Sequence, residues 1–147
     1  MGERDDIAAA RGAADWREVQ APSLDDLEAL ARATYVTLPV NFRRLVGDIA
    51  MRVAEFPEPD VLADLGVESD FGILGLFQGI GMAQDSAVED TGQLPNMIWL
   101  YRRPILDYWA EYEETLGAVV SHVLVHEIGH HFGLSDDDME AIEKAAS

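Results

Sequence analysis

The first clear periodicity of apolar residues along the chain is helical. Ser23 and Asp26 form the pattern of a capping box, in which each side chain satisfies a backbone N–H group of the other residue at a helix start. The apolar residues that follow at helical spacing are Leu24, Leu27, Leu30 and Ala31. They predict an amphipathic helix over residues 24–34. A second, short helix is predicted between Pro39 and Gly47. Proline is common at the start of a helix, and glycine readily adopts the conformation in which a helix ends.

Three later segments have the residue pattern of β-strands. Apolar and polar side chains alternate over residues 48–55, which is typical of a half-buried strand. Residues 73–79 are predicted to form a second strand, and the strand formers of residues 97–101 a third. A single helical turn is predicted over residues 61–65. Residues 79–96 show no sustained period and predict a long loop.

The most apolar segment, residues 116–132, predicts a buried helix. Its apolar side chains spread around most of the helix circumference, so nearly every side must contact protein. They are Leu116, Val119, Val120, Val123, Leu124, Val125, Ile128 and Phe132. Glu113 and Glu114 favour the start of this helix, and Pro104 suits the first turn of the helix before it.

The composition predicts one compact domain. The chain has 147 residues, of which 48% are hydrophobic, and residues 23–147 carry the regular patterns. Residues 1–22 lack a firm apolar period and are predicted to form a frayed helix or mobile tail. They show neither a secretory signal nor a membrane span, so a soluble, cytoplasmic protein is expected. The chain has no cysteine, so any metal must be bound by histidines and carboxylates.

The charge argues against two classes of partner. Twenty-eight acidic residues against ten basic ones give a formal net charge of −18. Such a surface repels the phosphates of nucleic acids and of anionic membranes, so neither is an expected partner. The charge itself is typical of a well-solvated surface and identifies no substrate.

All four histidines of the chain lie in the predicted buried helix. His126 and His130 are four residues apart, so their imidazoles lie on one face and can reach one ion. Glu127 stands beside them, and an ionised carboxylate in an apolar helix is costly unless a cation is near. The string matches H-E-x-x-H, in which the two histidines bind zinc and the glutamate acts as base. The pattern predicts one Zn²⁺ per chain.

A third ligand is predicted at Asp136. Gly133 can reverse the chain after the helix, which extends the pattern to H-E-x-x-H-x-x-G-x-x-D. Asp136 is preferred over Glu140 and Glu143, since little chain is available to return those glutamates to the histidine face. The alternative for Asp136 is the first turn of a final helix, which a capping box of Ser135 and Asp138 would begin.

The other two histidines have different predicted roles. His131 lies on another part of the helix and is expected to pack or to form hydrogen bonds. His122 lies one turn before His126 on nearly the same face. It would line the cleft, contact a substrate or be a hydrogen-bonded core histidine. Met139 is expected in the core.

The run from His126 to Asp136 resembles the signature of a family of small bacterial proteins described as zincin-like metallopeptidases. Residues 94–102 resemble the family's strand before the active-site helix. Leu38, Pro39, Phe42 and Leu45 resemble its early helix. The resemblance covers about residues 24–139 and implies a minimal zincin fold of the α+β class: a small mixed sheet with packed helices, one carrying H-E-x-x-H. It implies His126 and His130 as ligands and Glu127 as the catalytic carboxylate.

Two functions are compatible with these residues. In the first, a zinc peptidase hydrolyses a peptide or protein substrate with Glu127 as general base. Residues 97–101 would then form the sheet edge along which an extended peptide pairs. In the second, the metal stabilises a binding or regulatory domain that has little or no peptidase turnover.

Overall fold

Helices and short strands alternate along the part of the chain that the structure, a computed structural model, describes: residues 16–79 and 96–146. The elements are α1 (Leu24–Tyr35), α2 (Val40–Val46), β1 (Ile49–Ala54), α3 (Pro59–Leu65), β2 (Gly75–Gln78), β3 (Asn96–Tyr101), α4 (Arg102–Glu111), α5 (Leu116–His131) and α6 (Asp136–Ala146). They confirm the α+β class. Most of the predicted tail and of the predicted loop 79–96 lies outside the described residues.

The three strands form a mixed sheet in the order β1-β3-β2. β1 runs parallel to β3, with Ile49 opposite Asn96, and β2 runs antiparallel to β3, with Gly75 opposite Leu100. The prediction that residues 97–101 form the sheet edge is therefore wrong, because β3 is the central strand. Strand order depends on pairing between distant segments, which the composition of one strand does not reveal.

α5 is the central helix of the core. It contacts α1, α4, α6, β2 and β3. Val120, Leu124, Val125 and Ile128 are fully buried on it, which confirms the predicted buried helix. The helix begins later than Glu113, because the Thr115 side chain accepts a hydrogen bond from the Ala118 N–H at 3.1 Å and serves as the N-cap.

Reciprocal capping boxes begin two of the described helices, α1 and α6. At α1, Ser23 and Asp26 form both hydrogen bonds of the predicted capping box, at 2.9 and 3.0 Å. At α6, the Asp138 N–H donates to Ser135 Oγ at 3.0 Å and the Ser135 N–H donates to Asp138 Oδ2 at 3.3 Å. Both boxes satisfy N–H groups that have no partner inside the helix.

The turn after α5 sends the chain back along the same helix. Gly133 has φ 76°, and the Leu134 N–H donates to the Gly129 carbonyl at 2.9 Å. α6 then packs on α5, and the fully buried Met139 lies against Gly129, where an added Cβ would be 2.5 Å from Met139 Sδ. Met139 is thus a core residue, as predicted.

Two further observations concern the predicted tail and membrane contact. Arg102 Nε donates to the carbonyl oxygen of Pro22, so the last predicted tail residue contacts the start of α4. Within residues 16–79 and 96–146, no helix combines the length and the apolar character that crossing a bilayer requires.

We expect Leu124→Ala to lower the free energy of unfolding by about 2–5 kcal/mol, because it opens a cavity in the core around α5. Leu45 is the matched control, since its side chain is 47% exposed and Leu45→Ala leaves little empty volume. Urea unfolding of the metal-free protein measures both changes. Equal losses for the two variants would contradict the central position of α5.

Candidate metal centre

Three histidines form a row along one side of α5. The ring centroids of His122 and His126 are 3.9 Å apart and the rings are nearly parallel, at 30°. The centroids of His126 and His130 are 5.7 Å apart, with the rings at 82°. The spacing of four residues places each ring one helical turn from the next. The structure thus brings the predicted pair, His126 and His130, onto one face, with His126 in the middle of the row.

Glu143 of α6 contacts two of these histidines. Its Oε2 lies 3.0 Å from His126 Nε2, and its Oε1 lies 3.2 Å from His122 Nδ1. Glu143 was predicted to be a poor ligand candidate because little chain is available for its return, yet it does reach the histidine face, since Gly133 reverses the chain and α6 then runs back beside α5. A sequence signal for this contact is the spacing of Met139 and Glu143, which places both on the face of α6 that meets α5.

Among the described residues, the ligand atoms of His122, His126 and Glu143 lie within 4.8 Å of one another. His130 and Asp136 do not belong to that group. Asp136 is exposed in the first turn of α6, beside the cap formed by Ser135. This position agrees with its alternative role at a helix start, and its role as the third ligand stays a prediction.

Glu127 lies on a different side of α5, where the helix packs against β2. A Cβ added at Gly75 would lie 3.6 Å from Glu127 Cγ, so the strand approaches the helix closely there. Burial raises the pKa of the Glu127 carboxyl above its ordinary value, while the imidazoles of His130 and His122 act in the opposite direction. A partly desolvated carboxyl beside two imidazoles is suited to accept a proton.

The two remaining histidines occupy different surroundings. The ring of His131 packs on Phe77 of β2, with the centroids 4.4 Å apart, in agreement with its predicted packing role. The side chain of His122 is 48% exposed and contacts Glu143, so it is not a core histidine. Lining the cleft and contacting a substrate, the other two alternatives for His122, stay predictions.

The donor atoms on this face fit a zinc-class ion. Imidazole nitrogens and carboxylate oxygens are zinc ligands, and His126 Nε2 already lies at hydrogen-bond distance from a carboxylate of another helix. A metal would cross-link α5 and α6 at that point, which couples binding to the folded state.

Comparison with known proteins shows to which family the chain belongs. A family model described as "zincin-like metallopeptidase" matches residues 46–146, more than half of the chain. The matched range contains the whole sheet, α5 and α6. No match was found among curated proteins.

The close approach of β2 to α5 generates a stability prediction. A Cβ at Gly75 would lie 2.8 Å from Val123 Cγ1 and 2.9 Å from the Trp99 carbonyl oxygen. Gly75→Ala must therefore displace β2 and should lower the free energy of unfolding by about 1–3 kcal/mol.

The control for Gly75→Ala is Gly117→Ala, in the first turn of α5, where an added Cβ meets nothing within 4 Å. This variant should raise stability by about 0.4–1 kcal/mol, because alanine restricts the unfolded chain more than glycine does. Thermal or urea unfolding compares the two. A neutral effect of Gly75→Ala would mean that β2 does not press on α5.

Proposed function

The chain belongs to the zincin-like metallopeptidase family, and on that premise we propose that it is a zinc-dependent peptidase with Glu127 as its general base. The observation that carries the proposal is the position of Glu127. Its carboxyl is partly buried between α5 and β2, on the helix turn that joins His126 to His130. A role in packing does not explain an ionisable group at such a place.

His126 and His130 would hold the ion, since their imidazoles lie on one face of α5, and Asp136 would be the third ligand. When bound, zinc supplies a Lewis acid that polarises the scissile carbonyl and makes water more acidic. For His126, taking up the ion requires that its Nε2 exchange the Glu143 carboxylate for the metal.

Glu127 would carry the protons of the reaction. Its carboxylate accepts a proton from the attacking water and then donates it to the amine that leaves. Because α5 is buried on most of its circumference, packing restrains the helix turn that carries Glu127, His126 and His130.

The substrate would be an extended peptide or protein segment. β2 lies at the edge of the described sheet and is also the strand that contacts α5 near Glu127. An added strand on β2 would run close to the proposed base, with main-chain hydrogen bonds to the strand. Pairing with an extended peptide would thus fall to β2, because β3 is the central strand and has no free edge in the described sheet.

A second candidate is a metal-stabilised binding or regulatory domain with little turnover. The contact of Glu143 with His126 favours it, because an ion at that contact would join two helices far more firmly than a hydrogen bond. Metal content together with casein cleavage separates the two functions: stoichiometric zinc without cleavage supports the binding domain.

Glu127→Gln should keep zinc but lose activity by about 10²–10⁴-fold, since the amide preserves the shape and cannot accept the proton. Casein cleavage and elemental analysis of the purified variant measure the two effects. Glu113→Gln, which removes the same charge from an exposed site before α5, is the control and should cleave like the wild type. A Glu127→Gln variant that cleaves at the wild-type rate would disprove the mechanism.

Asp136→Ala should weaken zinc binding far more than Asp137→Ala, although both remove one charge from the first turn of α6. Competition with a chelator of known affinity measures the zinc dissociation constants. Equal, small losses would leave Asp136 as a residue of the helix start and would remove it from the ligand set.

A further inference from the structure

The histidine row on α5 contains two pairs of imidazoles that are each one turn apart. His126 belongs to both: it pairs with His130 towards the end of the helix and with His122 towards its start. The H-E-x-x-H pattern uses only the first pair. The second pair contacts a carboxylate, Glu143, that lies outside the pattern.

The donor atoms of the second group lie close together, all three within 4.8 Å of one another. Glu143 lies 3.0 Å from His126 and 3.2 Å from His122, each through a different oxygen. With metal–ligand distances of about 2.0–2.1 Å, two ligands of a tetrahedral zinc ion are separated by about 3.3 Å. Both Glu143 contacts are close to that separation, so side-chain rotations can bring the three donor atoms around one ion.

We propose that His122 Nδ1, His126 Nε2 and the carboxylate of Glu143 form a second position for a divalent, zinc-class metal ion. This position and the H-E-x-x-H position share one atom, His126 Nε2. One nitrogen lone pair binds one metal, so a chain holds the ion in one position or in the other. The second position uses neither His130 nor Asp136.

The second position borders, through Glu143, a cavity of about 450 Å³ between α1, α5 and α6. Glu143 lines this cavity together with the hydroxyl-bearing Thr34, Thr115 and Ser121. The side chains of His126 and Glu143 are themselves 24% and 25% exposed, so the ligands are partly shielded yet accessible. An ion can therefore enter with its water and complete its coordination with it.

The test is metal binding by a His130→Ala, Asp136→Ala double variant of the full chain. It removes two proposed ligands of the first position and leaves all three of the second intact. Titration with Co²⁺, followed by its visible absorption, and with Zn²⁺, followed by calorimetry, should show one ion per chain. Adding His122→Ala or Glu143→Gln to this background should abolish the binding.

The control is Glu140→Gln in the same background. Glu140 lies on α6 one turn before Lys144, is exposed and does not contact the histidines, so its loss should leave the single ion bound. A comparison of two single variants provides an independent measurement: His130→Ala should retain one ion, whereas His126→Ala should lose metal altogether.

Absence of metal from the folded double variant and from His130→Ala would overturn the proposal. The contacts of Glu143 with His122 and His126 would then be hydrogen bonds alone. Two ions bound to one wild-type chain would overturn the sharing of His126. The outcome does not depend on peptidase activity, since a protein that cleaves nothing can still bind the ion at the second position. Conversely, if the wild-type protein cleaves peptides and the folded double variant binds no metal, only the second position is refuted.

Discussion

The burial of α5 on most of its circumference is the constraint on which the structure depends. Each large apolar side chain that leaves water contributes about 1.5–3 kcal/mol, and α5 carries a series of them on several sides. α1, α4, α6 and the sheet each cover one part of the helix. Polar groups on α5 are consequently confined to the borders between these neighbours.

These borders separate two kinds of chemistry on one helix. Glu127 lies at the border with β2, where burial makes its carboxyl more basic. His122 and His126 lie at the border with α6, where Glu143 is their partner. The order of packing partners around α5 therefore determines which ionisable groups meet each other, and residues adjacent in sequence acquire different surroundings.

Features that depend on neighbouring residues could be predicted from the sequence. The capping boxes at Ser23 and Ser135 and the reversal at Gly133 use hydrogen bonds within a few residues, and the structure contains all three. The common face of His126 and His130 follows from the helical repeat alone. The burial of α5 follows from its composition, although Thr115 caps the helix and it begins after Glu113 and Glu114.

Features that depend on contacts between distant segments could not be predicted in the same way. β3 is central because Ile49 pairs with Asn96 on one side and Gly75 with Leu100 on the other, and no residue of β3 encodes that order. Glu143 meets His126 because two helices pack side by side, at an angle and distance that helical spacing does not specify. The role of Asp136 as a ligand follows from the reversal at Gly133 and the extended pattern, and it stays a prediction.

Gly129 is one of the two unspecified positions in H-E-x-x-H, yet the packing of α6 restricts it. A single carbon atom added there would press against the thioether of Met139, and Met139 lies one turn from Glu143. A side chain at this position would force Met139 to move and so disturb the packing of α6 that places Glu143 beside His126, without altering any ligand. Substitution of Gly129, a position that the H-E-x-x-H pattern does not specify, would in this way change the affinity for a metal bound by Glu143.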